Sequence, residues 1–218
     1  TNVELRTFAL ILVVAGLLIS MNLKLSGSFQ TIGESLRYGL FQSSAFITTT
    51  GHYSTNFDAW PTFSKMILLL LMIIGASSSS TGGGIKIIRI VILGKLIHRG
   101  IFIRLHPRAV APIKIQGKTL SNEMISGIVS FLSLYAFFFV ASLLVLSLEN
   151  MDFLTTVSTV ASMLNNVGTG MGLVGPSGSF EAFCGFSKVY LSFLMIIGRL
   201  ELFTVLLLFT PSFWNPDR

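Results

Sequence analysis

Two short runs could strip water from a cation. Thr48-Thr49-Thr50-Gly51-His52 and Asn165-Asn166-Val167-Gly168-Thr169 each place hydroxyl or amide oxygens beside a glycine. A cation entering a narrow path loses part of its hydration shell, and backbone carbonyls at fixed positions can replace it. Turning successive carbonyls to one side requires conformations that residues with a Cβ resist, and glycine adopts them at little cost. Each run follows a segment too short to cross a bilayer and precedes a long apolar stretch. Irregular backbone at membrane depth is tolerated only where it is buried in protein or lines a wet cavity. One Thr-Thr-Gly alone reads first as a turn at the membrane edge. Its counterpart behind a second short helix, at the matching place in the other half, points instead to an ion path.

The elements that must position these runs belong to a membrane protein. Of 218 residues, 52% are hydrophobic and 11% charged, with a mean hydropathy of +0.78; soluble domains carry about 25% charged residues. The net charge of +6 does not indicate nucleic acid, because the basic residues lack a groove-like pattern with interleaved aromatics. Lys86, Arg89, Lys95, Arg99, Arg104, Arg108, Lys114 and Lys118 fall in one stretch without an acidic residue between Lys86 and Lys118. Such a stretch beside apolar spans reads as a cytoplasmic connector. Cys184 is the single cysteine, which rules out an internal disulfide, and no zinc pattern exists. Thr1 is not an initiator Met, and an apolar span follows within a few residues, so the reading is a fragment that begins partway through a longer protein.

Residues 7–23 and 125–148 read as spans, and 189–208 as a last span interrupted at Gly198-Arg199-Leu200-Glu201. Residues 34–47 and 152–164 read as short helices packed inside protein, the second opening on an acidic residue suited to a helix N-terminus. Trp60 is expected at the membrane interface. Residues 63–74 and 85–97 read as one membrane helix broken by the Gly- and Ser-rich stretch 75–84, where three successive glycines each cost roughly 1 kcal/mol relative to alanine. Residues 98–121 read as the connector, with Pro107 and Pro112 discouraging a long helix. The sequence of span, short helix, Gly-containing run and span occurs twice. The two units are therefore expected to be parallel repeats, with the connector inside and both runs toward the outside.

The chain resembles the Trk/Ktr/HKT superfamily of potassium transporters. Residues 48–52, Ser79-Ser80-Thr81-Gly82-Gly83-Gly84-Ile85-Lys86, Asn165-Asn166-Val167-Gly168-Thr169-Gly170 and Gly198-Arg199-Leu200-Glu201 stand in that family's order and cover essentially the whole chain. It looks like the C-terminal half of such a membrane subunit. The resemblance implies an all-α membrane protein of two parallel membrane–pore-loop–membrane repeats, with re-entrant pore helices and a broken gating helix. Residues 1–99 would hold the third repeat, 100–121 the cytoplasmic connector and 122–218 the fourth repeat. Thr49, Thr50, Gly51 and His52 would line one filter segment and Asn166, Val167, Gly168 and Thr169 the other, with K⁺ at Thr50, Gly51, Val167 and Gly168. Gly75, Gly82, Gly83 and Gly84 would form the gating loop, which Arg199 faces. The resemblance further implies K⁺ as the transported ion, with Na⁺ or H⁺ as coupling ion, and no covalently bound cofactor. Expected partners are membrane lipid, the missing N-terminal half with two further repeats, a second copy in a homodimer, and a cytosolic nucleotide-binding regulatory subunit. The expected location is the cell (inner) membrane. The chain departs from the family in Ser77-Ser78-Ser79-Ser80, where Gly and Ser more often alternate, in His52, where Tyr or Phe is common, and in Thr169, where Pro is common.

Other readings follow from the same residues. Residues 75–84 with Lys86 resemble a phosphate loop, but no glycine precedes Lys86 and no strand leads in; Gly168-Thr169-Gly170-Met171-Gly172 similarly fails as a dinucleotide fingerprint. Residues 77–80 are candidate nucleophiles of a membrane enzyme, yet no His or paired acid stands at membrane depth as a base; an enzyme is not expected. A non-conducting assembly half that pairs with a separate partner is a further alternative. Arg199 is costly inside a span, by about 3 kcal/mol or more, and is either a cation barrier or a helix-pairing residue. Lys86 and Arg89 read as interfacial anchors, and His98 and His106 as solvated.

Overall fold

The computed structural model describes residues 3–214 except 79, 81, 110, 116 and 201. Thus Ser79, Thr81 and Glu201, named above in the motifs, lie outside the described residues. The chain is mainly helical. Helix α1 spans Val3–Leu25 and α2 spans Ile32–Ile47. A reciprocal cap starts α2: Thr31 Oγ1 accepts from the Glu34 N–H and the Glu34 carboxylate accepts from the Thr31 N–H, which satisfies two otherwise orphaned donors. The two helices cross closely because small residues face each other. A Cβ on Gly39 would lie 2.3 Å from Ser20 Oγ and 3.1 Å from the Gly16 carbonyl oxygen. Close backbone approach through small residues is how helices pack in lipid, where burial of apolar area offers no drive.

Helix α3, Thr62–Ile74, ends at Gly75 with φ +70, and α4 covers Ile87–Leu105. After a short antiparallel pair, β1 (Lys114–Ile115) and β2 (Lys118–Thr119), come α5 (Asn122–Ser147) and α6 (Phe153–Leu164). Helices α7 (Gly185–Leu200), α8 (Leu202–Leu208) and α9 (Pro211–Trp214) complete the chain. Helix α2 packs against α1 and α3, α6 packs against α5 and α7, and α3 touches α6. Each short helix thus sits inside its own half. One core gathers Ile19, Leu23, Phe46, Phe57, Leu68 and Met72; the other gathers Leu146, Val160, Leu164, Leu191, Leu194 and Ile197.

Among the described residues, α1 and α5 are long and apolar enough to cross a membrane, and α7 with α8 makes a third span if the pair, inclined at 108°, is read as one. Three expectations need correction. Helix α4 runs past residue 97 to Leu105, so the first part of the basic stretch is helical; only the residue before Pro107 is pushed out of the helix. Trp60 is 4% exposed and packs against Phe57, which in turn meets Phe46 at the end of α2, so its ring is covered by protein. Lys86 and Arg89 are half-buried and line a cavity beside the glycine loop, and Arg89 lies 3.7 Å over the Phe131 ring.

Helix α6 owes its start to Asp152, whose carboxylate accepts from the Thr155 N–H at 3.0 Å. The hydrogen bond from Thr155 holds this carboxyl below the ordinary range, against a smaller opposing effect of burial. A lowered native pKa contributes stability that is present above the unfolded value, near 4, and is lost as pH falls through the native one. Asp152→Ala is expected to cost about 1 kcal/mol of local stability at neutral pH. Amide exchange of the first turn of α6, corrected for intrinsic rates, should show this, with wild type and variant converging below about pH 4.

Candidate functional site

The two runs leave α2 and α6 by the same turn. The Thr48, Thr49 and Thr50 N–H groups donate to the carbonyls of Ser44, Phe46 and Ala45 at 3.1, 3.1 and 2.9 Å. The Asn165, Asn166 and Val167 N–H groups donate to Ala161, Met163 and Ser162 at 3.1, 3.2 and 2.9 Å. Every position has its counterpart 117 residues later, Thr48 with Asn165 and Gly51 with Gly168. In both turns the second residue past the helix is left-handed, Thr49 with φ 55 and Asn166 with φ 56. This is the Schellman arrangement, made here without glycine at its left-handed position. For a β-branched threonine that conformation costs about 1–2 kcal/mol, so the surrounding contacts must hold it. Both helices present their C-terminal, partially negative ends to the runs, which favours a cation there.

The runs then meet. Gly51 has φ +69, and a Cβ built on it would lie 1.8 Å from the Val167 carbonyl oxygen. Thr169 Oγ1 donates to the Gly51 carbonyl at 3.2 Å. Only a residue without a side chain permits this approach. Gly168, with φ +92, has no neighbour among the described residues within 4 Å of its would-be Cβ beyond the residues on either side of it. Thr48, Thr50, His52 and Gly168 are exposed, whereas Gly51, Asn165 and Val167 are buried. One side of the joined runs is therefore packed and the other is open.

Several supports were not legible in the sequence. Gln42, fully buried on α2, donates from Nε2 to the His52 carbonyl at 3.3 Å. Asp58 Oδ1 accepts from the Gly172 N–H at 3.0 Å, and Asn56 Nδ2 donates to Ser177 Oγ at 3.2 Å. These two bonds tie the loop after the first run to the loop after the second. Pairings across more than 110 positions leave no local signal.

The glycine loop lies against the base of both runs. A Cβ on Gly82 would lie 2.9 Å from Thr49 Oγ1, and one on Gly83 would lie 2.3 Å from the Asn165 carbonyl oxygen. Gly84, with φ +81, faces Asn165 Oδ1, and Gly75, with φ +70, faces the Gly83 carbonyl. Asn165 is itself fixed: its Nδ2 donates to the Ala161 carbonyl at 2.7 Å and its Oδ1 accepts from the Tyr135 hydroxyl at 3.0 Å. A cavity of about 120 Å³ adjoins the loop and is lined by Gly82, Gly83, Gly84, Lys86, Arg89 and Arg199, among others. The structure thus brings Arg199 to the loop, with its side chain exposed at the edge. Helix α7 is seated against α6 here, since a Cβ on Gly198 would lie 2.1 Å from the Leu164 carbonyl oxygen and Asn166 Nδ2 donates to the Met195 carbonyl at 3.0 Å.

At its other end the loop is held by the first helix. Glu4, 7% exposed, accepts from the Ser78 hydroxyl at 2.8 Å and also from the Ser78 N–H. Hydrogen bonds to a charged group contribute about 1.5–3 kcal/mol. Glu4→Ala in the full-length protein is therefore expected to speed thiol labelling of a cysteine placed at Ser77 by about tenfold. An unchanged labelling rate would count against a fastening role for Glu4.

Comparison with known proteins follows the same lines. Residues 2–215 match the family model TrkH, described as cation transport protein. The Trk system potassium uptake protein TrkH of Vibrio parahaemolyticus is 38% identical over 97% of this chain and 43% of its own length. The Trk system potassium uptake protein TrkG of Escherichia coli is 34% identical over 98% of this chain and 44% of its own. The crystal structure of the potassium transporter TrkH from Vibrio parahaemolyticus superposes with a TM-score of 0.89 at 37% identity, covering 98% of this chain and 45% of that one. The chain spans less than half the length of these relatives.

Proposed function

As the chain belongs to the TrkH family of cation transport proteins, a family of transporter subunits and not of enzymes, we propose that it serves as half of a potassium-uptake pore. The observation that carries this reading is the seating of Gly51 on the Val167 carbonyl with the Thr169 hydroxyl on the Gly51 carbonyl. Two carbonyl-bearing segments at the negative ends of two short helices, side by side and open on one edge, suit two walls of a four-walled filter. In this reading residues 1–99 and 122–218 are parallel pore repeats, and α2 and α6 are re-entrant pore helices. Thr50, Gly51, Val167 and Gly168 coordinate K⁺ through carbonyl oxygens, with Thr49, His52, Asn166 and Thr169 completing the lining. The missing walls come from an N-terminal half that meets the exposed edge at Thr48, Thr50, His52 and Gly168.

The loop with Gly75, Gly82, Gly83 and Gly84 then closes the path beneath the filter, and Arg199 adds a positive barrier there. Residues 100–121 face the cytoplasm, the filters face outward, and the protein lies in the cell (inner) membrane. A homodimer, Na⁺ or H⁺ coupling, and a cytosolic nucleotide-binding regulatory subunit meeting the basic connector belong to the same reading. The test is rubidium flux in reconstituted full-length protein carrying Gly51→Ser or Gly168→Ser. Loss of K⁺ over Na⁺ preference is expected in both, and preference intact in both would refute the reading.

A further inference from the structure

We propose that the pocket between the C-terminal half of α4 and the β1–β2 pair binds the phosphate of an anionic phospholipid at the membrane surface. It rests on the membrane reading of the chain but not on the filter. Helix α4 has two unlike faces. Leu93, Ile97, Ile101 and Leu105 recur every four residues and are 37%, 57%, 55% and 71% exposed. Beside this stripe, Lys95, His98 and Arg99 line a pocket of about 420 Å³ that Ile113 and Lys114 close from the hairpin.

The pocket is held in shape by the protein itself. Lys95 Nζ donates to the Lys114 carbonyl at 2.5 Å, the Leu120 N–H donates to the Ile113 carbonyl at 2.9 Å, and β1 pairs with β2. Ile113, 5% exposed, anchors the hairpin. Within this frame Arg99 Nε is buried and has no hydrogen-bond partner among the described residues. A buried charged donor left unpaired is costly, and α4 and the connector carry no carboxylate of their own, since no Asp or Glu occurs between Asp58 and Glu123. An anion from outside the chain resolves both facts.

The stripe decides which anion. Successive members of a four-residue repeat drift about 40° around a helix, which carries Ile101 and Leu105 toward the side of His98. An aliphatic surface alongside a cationic pocket matches a molecule with acyl chains below a phosphodiester. A free phosphate would leave the stripe in water. Basic residues near a membrane surface each contribute roughly a fivefold preference for anionic lipid.

The test counts bound lipid on detergent-solubilised full-length protein by native mass spectrometry, offering phosphatidylglycerol and phosphatidylcholine in equal amounts. Retention of phosphatidylglycerol over phosphatidylcholine is expected, with the preference falling about fivefold in Arg99→Gln and again in Lys114→Gln. Lys118→Gln, on the hairpin but outside the pocket, should lower it less than either. Preference equal in wild type, Arg99→Gln and Lys114→Gln would overturn the proposal. So would displacement of the lipid by inorganic phosphate, which would identify an aqueous-anion site. So would occupation of the pocket only by a regulatory protein, with no lipid retained in its absence. Lipid counting needs no transport, so failure of the filter reading leaves this result standing.

Discussion

Gly51→Ala in the full-length transporter is expected to reduce rubidium uptake by about a hundredfold. The added Cβ would stand 1.8 Å from the Val167 carbonyl oxygen, where real contacts do not fall below 3.0 Å. The two runs must therefore part by about 1 Å, and a misplacement of that size in a positioned site costs on the order of 10²-fold. The backbone of Gly51, at φ +69, adds the strain of a left-handed alanine. The Thr169 hydroxyl would also lose its alignment on the Gly51 carbonyl, which it meets at 3.2 Å. Gly168→Ala carries the conformational strain of φ +92 but, its two chain neighbours aside, meets no atom of the described residues within 4 Å. Its loss should be the smaller of the two. Equal uptake in wild type and Gly51→Ala, measured at matched protein in liposomes, would mean that the joined runs do not carry the ion.

Gly83→Ala is expected to do the opposite and raise basal flux about tenfold. Its Cβ would lie 2.3 Å from the Asn165 carbonyl oxygen and 2.7 Å from that carbonyl carbon. Asn165 cannot yield, because its side chain is bonded to the Ala161 carbonyl at 2.7 Å and to the Tyr135 hydroxyl at 3.0 Å. The loop must move away from the base of the runs instead. Overpacking costs about 1–3 kcal/mol, and 1.4 kcal/mol against the closed arrangement is about tenfold in population. Efflux from rubidium-loaded liposomes without any activating partner measures this directly. Flux equal to or below wild type would show that the loop is not the barrier.

Much of this arrangement was legible in the chain. Short polar helices, a Gly-Gly-Gly break and two glycine-containing runs gave most helix positions within a few residues, because membrane depth penalises irregular backbone except where protein or water covers it. Resemblance placed Arg199 near the loop, and both line one cavity. What the sequence withheld came from long-range pairing. Nothing near Asp58 announces the Gly172 N–H, and nothing near Glu4 announces Ser78. Trp60 was misplaced because an aromatic near a span end suits either an interface or a core, and the buried Phe57 settled it. The extent of α4 was underestimated because basic residues suggested a loop, whereas Arg and Lys are good helix formers and nothing before Pro107 stops the helix.

The contact of Gly83 with Asn165 also has a thermodynamic side. Asn165 closes the turn that sets Val167, and the same residue is the surface on which the loop rests. If ion binding at the proposed filter and movement of the proposed gate are coupled through this shared residue, that coupling is reciprocal. Whatever factor ion occupancy imposes on the closed–open equilibrium, loop position must return to ion affinity. Titrating rubidium against loop labelling, and loop variants against rubidium affinity, should give the same number.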